Sequence, residues 1–347
     1  MTRLRATRPP QRPFRAFSLL ALASAAAAQL PPGFLGNLTQ RLLIPSYFAP
    51  CDGSAGCAWD AVESATASHA YSAIGHVILN PASGPGAACD AAYLNVSRRV
   101  RAADANMGIL GYVHTSYAKR ALAAVQAEVD LYARCYAPPL LTGIFVDEAS
   151  SDCADLAYYE ALAAHIRAAV GGGADPASAI ADNEPATASA VVLNPGAPSS
   201  ECYLAKAADV LVTFEGSVAN YASYVPAAWH LSNDASRFAH IVYNATHRDN
   251  EDDDLLLAMR LSKAHNAGHV YVTSGSLPNP YDGLPQPYIM RVPFGARAHA
   301  HAHSQSHRIR IRPAKQVGQG IALGGGHHLA APKEAIECAR MRARGGQ

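Results

Sequence analysis

Gly143-Ile144-Phe145-Val146-Asp147-Glu148-Ala149-Ser150 is a short apolar run that ends in two adjacent acids. A run of this length and composition reads as a strand buried on both faces, as in a parallel sheet. Further along, Val210-Leu211-Val212-Thr213-Phe214-Glu215-Gly216-Ser217 repeats the pattern and again ends on an acid. Working outward, the same texture recurs at Leu42–Tyr47, His76–Asn80, Gly108–His114, Thr142–Asp147, Ala190–Asn194, Val210–Glu215, His240–Asn244 and His269–Thr273. Helix-like stretches separate these runs. Leu122, Val125, Val129, Tyr132 and Tyr136 form one apolar stripe. Tyr159, Leu162, Ile166 and Val170 form another, stopped by Gly171-Gly172-Gly173. The acids from Glu251 to Asp254 are expected to form the solvated first turn of a seventh helix.

Eight strands alternating with helices predict a parallel sheet with βαβ connections. The strand count and a body of about 265 residues fit a single-domain α/β (β/α)₈ TIM barrel, typically ~250 residues. A doubly wound open sheet is the alternative. The polar strand ends favour the barrel: Tyr47, Asn80, His114, Asp147-Glu148, Asn194, Glu215 and Asn244 follow apolar runs, and barrel enzymes build their sites at that rim.

Alternation along a strand puts Leu211, Thr213 and Glu215 on one face, which a threonine suits as the barrel lumen, with Phe214 in the outer layer. Gly143, Phe145 and Asp147 share a face, and Glu148 lies on the other. Two carboxyls across a cleft are the machinery of glycoside hydrolysis, one protonated and one ionised, and a third can separate their pKa values. The competing reading is structural hydrogen bonding, or a hard cation such as Ca²⁺. A GxSxG elbow, HExxH, P-loop lysine and Rossmann GxGxxG are all missing. No cofactor and no metal ligand set is expected.

The net charge of +1 hides segregation. Residues 29–294 hold 14 Lys/Arg against 25 Asp/Glu, a net of −11, between two basic ends. Such a body is a poor nucleic-acid binder. Arg3, Arg5, Arg8, Arg12 and Arg15 precede an apolar run from Phe17 to Ala28, so 1–28 reads as a signal peptide, the run being too short for a membrane anchor. Sequons at Asn37, Asn95 and Asn244 support export. Six of the seven cysteines lie in the body, enough for three disulfides of unread connectivity, or for free buried thiols; Cys51 and Cys57 would close a small loop. The 295–347 stretch, with His299, His301, His303 and His307, reads as a disordered basic, His-rich tail.

Motif by motif, the chain resembles the spherulin-4-like proteins (spherulation-specific family 4), grouped as glycoside hydrolase family 135. The residues that carry the resemblance are Leu43-Ile44-Pro45-Ser46-Tyr47, Ile78-Leu79-Asn80-Pro81-Ala82-Ser83-Gly84-Pro85-Gly86 and Gly111-Tyr112-Val113-His114-Thr115-Ser116-Tyr117. They continue in Gly143 to Ala149, Leu193-Asn194-Pro195-Gly196, Thr213-Phe214-Glu215 and Asn279-Pro280-Tyr281-Asp282-Gly283-Leu284-Pro285, covering about 40–292. The resemblance implies a secreted barrel that hydrolyses N-acetylgalactosamine-rich exopolysaccharide, with the family's acids at Asp147, Glu148 and Glu215. A partly deacetylated, cationic polymer suits the acidic body. The chain departs from the family after Tyr288–Val292, where an aromatic-rich close is lacking.

On this reading Asp147 is the nucleophile, Glu215 the general acid/base, and Glu148 tunes both. An N-acetyl substrate also admits substrate-assisted attack, with Asp147 orienting the acetamido group. Tyr47, Asn80, His114, Tyr117 and Asn194 are candidate sugar contacts, although Asn80-Pro81 and Asn194-Pro195 also suit turn starts. The expected protein is a monomer whose partner is a polysaccharide, with no membrane attachment after signal cleavage. The competing function is a non-catalytic wall or spore-coat protein that binds glycan on the same barrel. A polysaccharide deacetylase would need a His-rich metal set that the body lacks.

Overall fold

The computed structural model describes residues 40–51, 56–67, 74–136, 140–171, 189–196, 198–246 and 253–284. Eight parallel strands close into a barrel in chain order: β1 (Arg41–Ser46), β2 (Ile74–Leu79), β3 (Gly108–His114), β4 (Gly143–Asp147), β5 (Ala190–Leu193), β6 (Val210–Ser217), β7 (Phe238–Tyr243) and β8 (His269–Val272). Arg41 and Leu42 pair with His269 and Val270, which joins the first strand to the last and excludes the open sheet. Each strand expected from the sequence is present.

Among the described residues the helices are α1 (Ala58–Ala67), α2 (Ala91–Ala103), α3 (Leu122–Cys135), α4 (Leu156–Val170), α5 (Val218–Tyr221), α6 (Ala228–Ser232) and α7 (Asp254–Ala264). Both apolar stripes are buried as expected: Val125, Val129 and Tyr132 on α3, and Tyr159, Leu162, Ile166 and Val170 on α4. Between β5 and β6 the described chain forms a 3₁₀ turn at Glu201–Tyr203 rather than an α-helix.

Close packing sets which way the strands face. A Cβ at Gly111 would enter the Tyr132 ring of α3 at 2.7 Å. Gly111 therefore faces the helices, and Leu110, Tyr112 and His114 face the barrel axis. A Cβ at Gly143 would come 2.2 Å from the Ala190 carbonyl oxygen, so the start of β4 requires glycine.

Two expectations need correction. Thr213 does not face the lumen. The β6–β7 register shifts between Val212 and Phe214, a bulge that breaks strict alternation. The Thr213 hydroxyl lies 3.0 Å from Nε2 of His240, whose ring packs with Phe214, Tyr221 and Tyr224 outside the barrel. Phe214 is in that outer layer, as expected. The start of the seventh helix is not simply solvated either: Asp253 is buried and caps α7 by accepting the Leu255 N–H at 2.8 Å. Glu251 lies outside the described residues.

The six body cysteines form Cys51–Cys57, Cys89–Cys135 and Cys153–Cys202. Asn95 and Asn244 of the sequons are exposed, and Asn244 bends the chain with φ 57° just past β7. The expected signal segment 1–28, Asn37, Cys338 and the residues 295–347 lie outside the described residues. Among the described residues, no helix is long and apolar enough to cross a membrane.

Candidate active site

The C-terminal ends of the strands bring the predicted acids together. Asp147 ends β4, and Glu215 points to the same centre from β6 because the bulge restores its inward aim. Between them stands Asn194, just past β5. Its Nδ2 donates to Oδ1 of Asp147 at 2.9 Å and to Oε2 of Glu215 at 2.6 Å. Those two oxygens therefore lie no more than about 5.5 Å apart, the two bonds laid end to end.

The remaining carboxylate oxygens are held by phenols. Tyr112 donates to Oδ2 of Asp147 at 2.7 Å, and Tyr281 donates to Oε1 of Glu215 at 2.6 Å. Tyr47 meets Tyr112 and Tyr281 edge-on, with ring centroids 5.6 and 5.5 Å away. Tyr47, Tyr112, Asp147, Asn194, Glu215 and Tyr281 thus form a closed ring. Burial, with the nearby acids adding to it, pushes all three phenols far above their ordinary range, so they remain donors at physiological pH. Burial also raises the carboxyl of Asp147. The Glu215 charge adds to that rise, while bonds from Tyr112, the Glu148 backbone and Asn194 oppose it.

Glu148 leaves the strand with φ 47°, a left-handed conformation, and its carboxylate meets His114 Nδ1 at 3.4 Å. Facing it, Ser116, Tyr117 and Ala118 are left-handed in succession, at φ 47°, 58° and 64°. Such backbone persists only where its surroundings over-determine it. Here the Glu148 carbonyl accepts from the Tyr117 N–H at 2.7 Å and the Thr115 hydroxyl at 2.8 Å. Tyr159 of α4 ties the two turns from below, bonding the Thr115 hydroxyl at 2.8 Å and accepting the Ser150 N–H at 2.7 Å. Arg120 donates to the His114 carbonyl at 2.6 Å.

A cavity of about 460 Å³ opens beside Glu215, lined by Tyr47, Asn80, Ser83, Tyr243 and the segment from Leu277 to Tyr281. That volume suits a small-molecule ligand or a sugar unit. Of the expected sugar contacts, Tyr47 and Asn80 line the cavity, and Asn80 also accepts the Gly84 N–H at 3.0 Å in a turn. His114 sits at the Glu148 side of the rim, and Tyr117 is half exposed there. Asn194 is buried, with its amide engaged by the acids. Cys51, Cys57 and Asp60 lie close enough to hold a cation on distance alone, but the two sulfurs are bonded to each other.

Sequence reasoning missed Tyr112, Tyr243 and Tyr281. Tyr112 is two residues before His114 and so shares its inward face, a signal that strand alternation contains. Tyr281 comes from a loop without periodicity.

A closed parallel barrel with two acids paired on its C-terminal rim defines a (β/α)₈ protein whose candidate site lies at the end of the barrel where that fold places its sites. The family model described as spherulation-specific family 4 matches residues 41–291, and the chain belongs to that family. It is 33% identical over 238 residues to spherulin-4 of Physarum polycephalum, covering 66% of this chain and 63% of the relative. The chain thus spans less than two thirds of that relative's length. The crystal structure of Aspergillus clavatus Sph3 in complex with GalNAc matches with a TM-score of 0.59 at 25% identity, covering 73% of this chain and 96% of that one.

Proposed function

We propose that the protein is a secreted glycoside hydrolase of N-acetylgalactosamine-containing microbial exopolysaccharide, endo-acting and of the galactosaminogalactan-cleaving type. The observation that carries this reading is the pairing of Asp147 and Glu215 through one amide nitrogen, beside a rim cavity. Family membership and the likeness to Sph3, solved with GalNAc, support the substrate class. Asp147 is the nucleophile: three donors face its carboxylate, as an ionised attacking group requires. Glu215 lines the cavity and serves as general acid and then base. Glu148, with His114 beside it, contacts substrate and tunes both acids. Tyr47, Asn80 and Tyr117 supply aromatic faces and an amide to the sugar.

The upper bound of about 5.5 Å between the nearest carboxylate oxygens fits the ~5–5.5 Å spacing of retaining enzymes better than the ~6.5–9.5 Å of inverting ones. Retention follows, either by a glycosyl-enzyme on Asp147 or by acetamido assistance with Asp147 as its orienter. Export through the 1–28 signal and action as a monomer complete the proposal; the three disulfides suit an oxidising compartment.

The test is release of reducing ends from galactosaminogalactan by the protein, beside Asp147→Asn and Glu215→Gln. Turnover by the parent that both variants lose supports the proposal. Binding without turnover by the folded parent favours the second reading, a non-catalytic glycan-binding wall protein. One observation favours that second reading: all four oxygens of Asp147 and Glu215 already accept hydrogen bonds from the protein.

A further inference from the structure

We propose that Asn194 is a positioning residue, a donor bridge that holds Asp147 and Glu215 at one separation, rather than a contact for sugar. The proposal rests on the glycosidase reading for its kinetic consequence, but not for its structural one. A carboxamide nitrogen carries two N–H bonds. Both are in use here, one on each acid, at 2.9 and 2.6 Å. The side chain is 3% exposed, so nothing beyond the two acids reaches that nitrogen easily.

The local sequence dictates which end of the amide faces the acids. Oδ1 of Asn194 accepts the Gly196 N–H at 3.2 Å across the Asn194-Pro195-Gly196 turn, in which Gly196 has φ 60°. With the oxygen occupied by the turn, the amino end must point the other way. The backbone is clamped as well. The Asn194 N–H donates to the Val146 carbonyl at 2.9 Å, and its carbonyl accepts the Ala149 N–H at 2.9 Å. These bonds bracket Asp147 and Glu148 at the end of β4, so the bridge is tied by its backbone to the segment that carries the acid it serves. An Asx turn and an acid clamp are therefore two ends of the same side chain.

Each bridge bond needs a lone pair on its acceptor oxygen. Around Asp147 stand Tyr47 from just past β1, Tyr112 from β3, Glu148 beside it, Glu215 from β6 and Tyr281 from the segment after β8. Asn194 is the neutral donor common to both acids. Its loss removes a shared donor from two neighbouring carboxyl groups.

The experiment uses Asn194→Asp, which keeps the size of the side chain and an acceptor for the turn but replaces both donors by an acceptor. kcat and KM are measured on galactosaminogalactan fragments across pH, and the Asp147 carboxyl is titrated by ¹³C NMR. The bridge predicts kcat lower by on the order of 10³-fold, as for loss of a preorganised donor, with KM changed by less than about threefold. It also predicts that the Asp147 titration and the acid limb of kcat move to higher pH by about one unit. A raised KM with unchanged kcat and unchanged titration would overturn the proposal and make Asn194 a sugar contact. Should that variant not fold, Asn194→Ala adds no charge and carries the same readings. If the parent cleaves nothing, the glycosidase reading falls, yet the carboxyl titration still decides the bridge.

Discussion

The two faces of β6 deal with buried titratable groups in opposite ways. Toward the axis, Glu215 and its partner Asp147 are surrounded by donors: two phenols and one shared amide. Toward the helices, Thr213 and Phe214 meet a cluster of His230, His240 and His265 among Tyr221, Tyr224 and Trp229. There the protein supplies aromatic faces, and the histidines are kept neutral. Burial lowers His230 and His265 to about 4 and pulls His240 well below its ordinary value, with the neighbouring histidines adding to the fall at His240. One face surrounds its carboxyls with donors; the other keeps its histidines uncharged. A fold that needs charge for chemistry must build the first kind of environment, which costs stability, while the second asks only for packing.

The comparison breaks most visibly at the acids themselves. Asp147→Asn or Glu215→Gln is expected to lower turnover of galactosaminogalactan by on the order of 10⁴-fold, measured as reducing ends released. Full turnover in either variant would reduce the inner ring to a structural network like the outer one. Next in size is acid sensitivity. A histidine whose folded pKa is depressed contributes stability that is complete above its ordinary 6.5 and is lost as pH falls toward the folded value. For His230 and His265 that window runs from about 6.5 to about 4 and is worth at most about 3 kcal/mol each. Denaturant melts between pH 7 and 4 should therefore show a steep loss, shallower in His265→Phe.

Asp147 has the opposite sign. Its carboxyl is raised, so ionising it as pH climbs past the ordinary carboxylate range costs folded-state stability. Asp147→Asn should consequently melt higher than the parent at pH 7, while the difference shrinks in acid. A lower Tm would mean that the donors of the ring outweigh burial. The smallest effect belongs to Thr213→Val, which removes one buried hydrogen bond to His240, about 1–2 kcal/mol, and leaves turnover unchanged. A Thr213→Val variant with impaired kcat would place that side chain in the lumen after all.

Much of the fold was legible because a parallel barrel writes each strand as a compact apolar run with a polar end. Alternation puts Asp147 on one face with Gly143 and Phe145 and Glu148 on the other, without telling which face is inward; pairing with Tyr112 and His114 of β3 decides it for Asp147. Glu215 was placed inward for an incomplete reason: alternation from Thr213 predicts it, but the bulge turns Thr213 outward and still leaves Glu215 facing in. A register shift depends on pairing with β7, and one strand read alone carries no trace of it. The sequence offers the Asn194 amide to sugar because it stands at the rim and amides pair with hydroxyls, with a turn start as the alternative. Its burial depends on two acids arriving from neighbouring strands. Tyr281 reaches Glu215 from 66 positions along the chain, through a loop whose path no periodicity encodes.

The Cys153–Cys202 disulfide joins the segment after Asp147 and Glu148 to the segment after Asn194. Its consequence is one of wear. A cut anywhere between these cysteines would ordinarily release the two parts of the chain from each other. Here the pieces stay covalently joined just beyond the residues they contribute to the rim, so a nicked molecule keeps its acid-bearing strands in one covalent unit.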